Sequence, residues 1–184
     1  YSNGPVCTPT RAGLMTGRYQ QRVGLEWAIV PAQKDAGLPT SEITLSRMLR
    51  EDGYRTAMFG KWHLGHKPEF GPNAHGFEEF FGILGGNVDM YTHQNINGTP
   101  DLYENTELVR REGYLTDLLS DKAVEVIARP HAKPFFLSLQ YTAPHSPWEG
   151  PEDELIGHTT HGRGPMVDGG SLKIYGAMMK SLDA

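Results

Sequence analysis

Apolar positions recur with two different periods along this chain, and the changes of period divide it into elements. Leu45, Met48 and Leu49 follow helical spacing within residues 41–52, with Ser41 as the N-terminal cap and Gly53 as the stop. Leu118, Leu119, Ala123, Val126 and Ile127 do the same within residues 116–129, which Thr116 opens and Pro130 follows. Residues 55–59 read as a short strand, and the strongly apolar residues 135–140 as a central one. A further helix starts near the front of the chain, with Thr8 as its cap, Pro9 at its first position and Gly17 just past its end. Ile174, Ala177, Met178, Ser181 and Leu182 give residues 171–184 the look of a helix cut off partway. The order helix, strand, polar loop occurs twice, at 41–66 and 116–147, and predicts an α/β organisation.

The connecting stretches carry less information. Residues 19–40 are irregular, punctuated by Gly24, Pro31, Gly37 and Pro39, and Trp27 among them is expected in the core. Residues 68–98 are rich in Gly and aromatics, with Phe77, Phe80 and Phe81 expected inside. Asn87, Asp89, Tyr91 and His93 belong to a polar loop and either face substrate or are merely solvated, the commoner case. Residues 149–170 are either a surface loop near a substrate entrance or a linker.

Composition narrows the class. With 184 residues, 38% of them hydrophobic, 22 Gly and 13 Pro, the chain suits one loop-rich globular domain. A net charge of −5 with no basic run argues against a nucleic-acid surface. No stretch approaches the apolar length of a membrane span. The single cysteine excludes an intrachain disulfide framework and leaves the compartment open. The chain opens on Tyr1 and reads as a piece of a longer protein.

The candidate chemistry gathers at three places. Cys7 sits at a helix N-terminus, where free N–H groups and the helix dipole favour an anion, and Arg11 projects from the same face one turn on. That combination should bind a tetrahedral oxyanion. Lys61 and His63 follow a strand, two residues apart, so an extended segment points both the same way. A cation and an imidazole at a strand end suit anion binding and proton transfer. His145 follows the second strand and lands on the same rim. Gly53 to Lys61 is no phosphate loop, because the spacing is wrong and Trp62 stands where Ser or Thr is required.

Cys7-Thr8-Pro9-Thr10-Arg11, continued by Ala12-Gly13-Leu14-Met15-Thr16-Gly17-Arg18, closely resembles the signature of the type I sulfatases. Gly53-Tyr54-Arg55-Thr56-Ala57-Met58-Phe59-Gly60-Lys61-Trp62-His63-Leu64-Gly65 resembles the second signature of that family, and His75-Gly76-Phe77 is similar more loosely. The resemblance implies a partial alkaline-phosphatase-like sandwich whose mixed, largely parallel central sheet is flanked by helices. Residues 1–184 would then form an incomplete catalytic domain, inactive alone. It implies a sulfuric ester hydrolase in which Cys7 is oxidised to formylglycine by a formylglycine-generating enzyme, and the aldehyde hydrate is the nucleophile. Arg11, Lys61 and His145 would bind the sulfate ester, His63 would act as base, and His145 would protonate the leaving alcohol. Ca2+ would be held by Cys7 together with acidic residues that this chain does not supply. A periplasmic, secreted or lysosomal location follows from the same resemblance. Two other readings stay open at this point. One is a phosphonate monoester or phosphodiester hydrolase of the same superfamily; the other is a noncatalytic sulfated-glycan binding protein.

Overall fold

A computed structural model describes residues 2–95, 97–152 and 171–184. Its elements, in chain order, are α1 (Cys7–Thr16), α2 (Leu45–Glu51), β1 (Arg55–Lys61), β2 (Glu79–Ile83), β3 (Tyr103–Glu104), β4 (Glu107–Leu108), α3 (Leu115–Ala128), β5 (Phe135–Gln140) and α4 (Leu172–Leu182). The sheet runs β4-β3-β2-β1-β5. The three long strands are parallel, and the two-residue strands β3 and β4 are added antiparallel at one side. The result is a mixed sheet flanked by helices, as the α/β pattern predicts.

β1 is buried from Thr56 to Lys61, because both faces of the sheet are covered. Alternation along the strands sends Ala57, Phe59, Phe81 and Ile83 to one side, where Leu115, Leu119, Ala123 and Val126 of α3 and Met178 of α4 pack against them. Met58 and Phe80 face the other side and meet Ala12 and Met15 of α1, Leu38, Trp62 and Phe77. Helix α1 and helix α3 therefore sandwich the sheet. That places the front of α1 over the carboxyl end of β1.

Two close approaches fix the strand ends. Gly60 pairs with Gly82 on one side and Gln140 on the other. A Cβ on Gly60, whose φ is 118°, would lie 1.9 Å from the Gln140 carbonyl oxygen. One on Gly82 would lie 2.0 Å from the Gly60 carbonyl oxygen. No side chain fits either gap.

Several expectations are corrected. Val6, not Thr8, precedes α1, and Thr8 is fully buried with its hydroxyl donating to the His63 carbonyl at 2.9 Å. Gly17 does end α1 in the left-handed conformation. Helix α2 starts three residues later than expected because Thr44, whose hydroxyl accepts from Arg47 N–H, is a better-placed cap than Ser41. Its apolar stripe faces outward: Leu45 and Met48 are exposed, and Ser46 is the buried residue, held by the His75 carbonyl. β1 runs on through Lys61, which closes the strand instead of opening the loop. β5 is an edge strand among the described residues, with Phe135 and Leu139 partly open, so apolarity alone misplaced it at the centre. In α3, Ile127 is exposed. Trp27 is 70% exposed and lies outside the core. Asp89 and His93 are buried, and Asp89 accepts from the Tyr91 and Thr92 backbone N–H groups, which makes it a turn former. Ser171 caps α4 by accepting from Ile174 N–H. The surface-loop or linker expectation for 149–170 falls outside the described residues except at its first four positions.

Candidate active site

Cys7 is the first residue of α1, so the free N–H groups of that helix surround its side chain. Lys61 Nζ donates to Cys7 Sγ at 3.2 Å. Lys61 is 2% exposed, and burial pulls its ammonium down while Cys7 holds it up. One turn beyond Cys7, the Arg11 guanidinium donates through Nη1 to the Lys61 carbonyl and to Gln140 Oε1. Burial also lowers Arg11, against the attraction of Cys7.

His63 reaches the site by a different route from the one its spacing predicts. Its φ is 54°, so the segment after β1 turns instead of continuing extended. His63 Nε2 lies 2.9 Å from the Ile29 carbonyl, which can only accept, so that nitrogen carries the proton. Nδ1 is buried, has no hydrogen bond of ordinary geometry, and is the nitrogen left for Cys7. Thr8 anchors the same arrangement by accepting from Ile29 N–H at 3.2 Å while donating to the His63 carbonyl.

His145 is arranged the opposite way round. Its Nδ1 donates to the Ser146 carbonyl at 2.8 Å, which leaves Nε2 for the site. That carbonyl also accepts from Asn87 Nδ2 at 3.0 Å. His145 sits between two cis-prolyl bonds, Ala143-Pro144 and Ser146-Pro147.

The five residues singled out from the sequence, Cys7, Arg11, Lys61, His63 and His145, thus converge. The consequence is electrostatic. The Cys7 thiol is lowered to about 4, chiefly by hydrogen bonding from His145 and then His63, with Lys61 adding to it and burial opposing. Any anion at this position is stabilised in the same way. Sequence reasoning missed Gln140 and the Ile29 carbonyl, and it named Asn87 without placing it in the site. Only the strand-end position of Gln140 could have flagged one of them.

The set around Cys7 is cationic. Among the described residues no group of three or more His, Cys, Asp or Glu is placed to hold a metal ion. A calcium ion takes six to eight oxygen ligands. The residues present do not fit one by themselves. Nor is any described helix long and apolar enough to cross a membrane.

Comparison with known proteins agrees with this geometry. The Sulfatase family model matches residues 1–183. The chain is 37% identical over 156 residues to arylsulfatase J of Mus musculus, covering 80% of this chain and 26% of that protein. It is 36% identical over 169 residues to N-acetylgalactosamine-6-sulfatase of Homo sapiens, covering 80% of this chain and 32% of the relative. The crystal structure of Ps i-CgsB superposes on all of the chain with a TM-score of 0.82 and 32% identity, and the match covers 43% of that protein. The same protein has been solved in complex with k-i-k-neocarrahexaose. The match thus spans 26% and 32% of the length of the two curated relatives named here.

Proposed function

The chain belongs to the sulfatase family, with its alkaline-phosphatase-like α/β fold, and from that premise we propose that the whole protein hydrolyses sulfate esters at the site around Cys7. One observation carries the reading: Lys61, Arg11, His63 and His145 surround a side chain at a helix N-terminus and stabilise negative charge there.

Cys7 Sγ stands where a hydroxyl of the formylglycine hydrate would stand after oxidation by a formylglycine-generating enzyme. A hydrate fits the task because one carbon bears two hydroxyls. One hydroxyl attacks sulfur as its alkoxide, the anion that Lys61 and the helix N-terminus stabilise. The bond from sulfur to the alcohol oxygen breaks, and the alcohol departs with the Nε2 proton of a His145 imidazolium, which becomes neutral. The other hydroxyl then gives its proton to His63 Nδ1. Its C=O forms, the C–O bond to sulfate breaks, and sulfate leaves; water restores the hydrate. Lys61, the free N–H groups of α1 and Arg11 neutralise the sulfate oxygens throughout. Ca2+, when bound, would add positive charge at those oxygens, and its carboxylate ligands would come from outside the described residues.

The substrate class is a sulfate ester of an aryl or carbohydrate alcohol. The test is a comparison of hydrolysis by the full-length matured protein on matched aryl sulfates and aryl phosphate diesters. Faster turnover of the sulfates is expected. A preference for phosphate diesters, or binding without turnover, would overturn the reading.

A further inference from the structure

Arg11 has one more constraint than its place on α1 requires. Nη1 carries two hydrogens, and both are placed, one on the Lys61 carbonyl and one on Gln140 Oε1. Nε and Nη2 make no hydrogen bond to any described residue. That edge of the guanidinium is the one that forms paired hydrogen bonds to an oxyanion. Gln140 is itself oriented: its Nε2 donates to Ser138 Oγ at 2.9 Å, so Oε1 is the atom turned to Arg11. Ser138 and Gln140 are two apart on β5 and share a face. The end of β5 is held against β1 by the pairing of Gln140 with Gly60. A chain of contacts therefore runs from the sheet through Ser138 and Gln140 to the guanidinium.

We propose that Gln140 is a positioning residue that rotates and holds the Arg11 guanidinium so that its free edge meets the sulfate group. This rests on the assignment of Arg11 to sulfate made above. A single backbone carbonyl leaves the guanidinium free to swing about its last side-chain bonds. A second acceptor on the same nitrogen fixes its plane, and less freedom is then lost when the anion arrives.

Calorimetric titration of inorganic sulfate into the full-length matured protein reads this anion site without turnover. Gln140→Ala should weaken sulfate binding about tenfold, as expected for loss of one charge-assisted hydrogen bond. In an Arg11→Lys background, which has no planar fork to orient, the same substitution should change affinity by less than about twofold. A merely structural role would cost the same factor in both backgrounds, and that result overturns the proposal. So does unchanged affinity in Gln140→Ala. If Gln140→Ala does not fold, Gln140→Glu keeps the shape and the acceptor oxygen but cancels the charge of Arg11. Its sulfate binding should be weak at neutral pH and recover on acidification as the new carboxylate takes a proton. A pH profile matching the unsubstituted protein overturns the proposal. Sulfate binding that ignores Arg11→Ala would overturn it together with the assignment beneath it, which keeps the two failures apart.

Discussion

His63 Nε2 lies 2.9 Å from the carbonyl oxygen of Ile29, and this contact decides which nitrogen of the imidazole is left for Cys7. With the proton held at Nε2, Nδ1 keeps its lone pair and suits a base. His145 has Nδ1 committed to the Ser146 carbonyl and offers Nε2. In both rings a carbonyl holds the proton of the far nitrogen, so the nitrogen facing Cys7 accepts a proton in the neutral ring and donates one in the imidazolium. The proposed base role of His63 is that of the neutral ring, and the proposed acid role of His145 that of the imidazolium.

The division of labour is testable by single-turnover kinetics on the matured full-length enzyme. His145→Ala should slow cleavage of alkyl or sugar sulfates far more than cleavage of nitrophenyl sulfate, whose leaving group departs as a stabilised anion. His63→Ala should slow sulfate release by about 10²–10⁴-fold on both substrates and let a sulfated enzyme accumulate. Equal losses on both substrates for His145→Ala would remove it from the acid role.

In unconverted full-length protein Cys7 should be a thiolate across the neutral range. Its thiol is lowered to about 4, so alkylation by iodoacetamide should fall off only as pH drops toward that value. An ordinary thiol reaches half its maximal rate near pH ~8.5. His145→Gln should move the inflection upward, because hydrogen bonding from His145 is the largest single cause of the lowering. An inflection above neutrality in the unsubstituted protein would contradict the electrostatics of the site.

Much of this site was legible because its residues lie in two short stretches with unusual local rules. Cys7 and Arg11 share a helix face, and Gly60 and Lys61 share a strand end. Those relations depend on backbone periodicity, which sequence records. The misplacements have a different origin. Thr8 has the chemistry of a cap, but a long-range bond to His63, 55 residues away, takes its hydroxyl instead. The stripe of α2 obeys helical spacing, yet the spacing cannot say which face is covered, and Ser46 is the side chain that packs. β5 is as apolar as a central strand while sitting at the edge of the described sheet. β2 went unread within a glycine-rich stretch, because its strand character comes from pairing with β1. Gln140 carries no local signal beyond its place at a strand end; its partner Arg11 is 129 residues away.

Gly60→Ala should be among the costliest small substitutions in the chain. The added Cβ would meet the Gln140 carbonyl at 1.9 Å, in a backbone conformation at φ 118° that L side chains rarely adopt. Separating β1 from β5 at that point also moves Lys61 and Gln140. A loss of about 3 kcal/mol or more in unfolding free energy is expected, with reduced sulfate binding in whatever remains folded. A change within about 0.5 kcal/mol would show that the strand ends are looser than described.

Asp101 gives the fold its own pH dependence. Burial raises its carboxyl from 3.8 to about 6, although it accepts from the Leu84 and Gly85 N–H groups. The folded state therefore holds this proton more tightly than the unfolded chain does. The favourable contribution is complete below the unfolded value and is lost as pH rises through about 6. Measured against Asp101→Asn by urea unfolding, the unsubstituted protein should lose about 2 kcal/mol more between pH ~4 and ~7. Parallel pH profiles for the two proteins would contradict the assignment.

The central claim is that turnover belongs to the converted form of Cys7. Full-length protein can be prepared with different amounts of formylglycine-generating enzyme, and the aldehyde fraction at Cys7 read by mass spectrometry of the peptide that contains it. The decisive measurement is the initial rate of sulfate release from aryl and carbohydrate sulfates plotted against that fraction. A straight line through the origin is predicted, with no release from protein that carries only the thiol. Release that is independent of the aldehyde fraction, or absent from fully converted protein on every sulfate ester in the panel, would contradict the account.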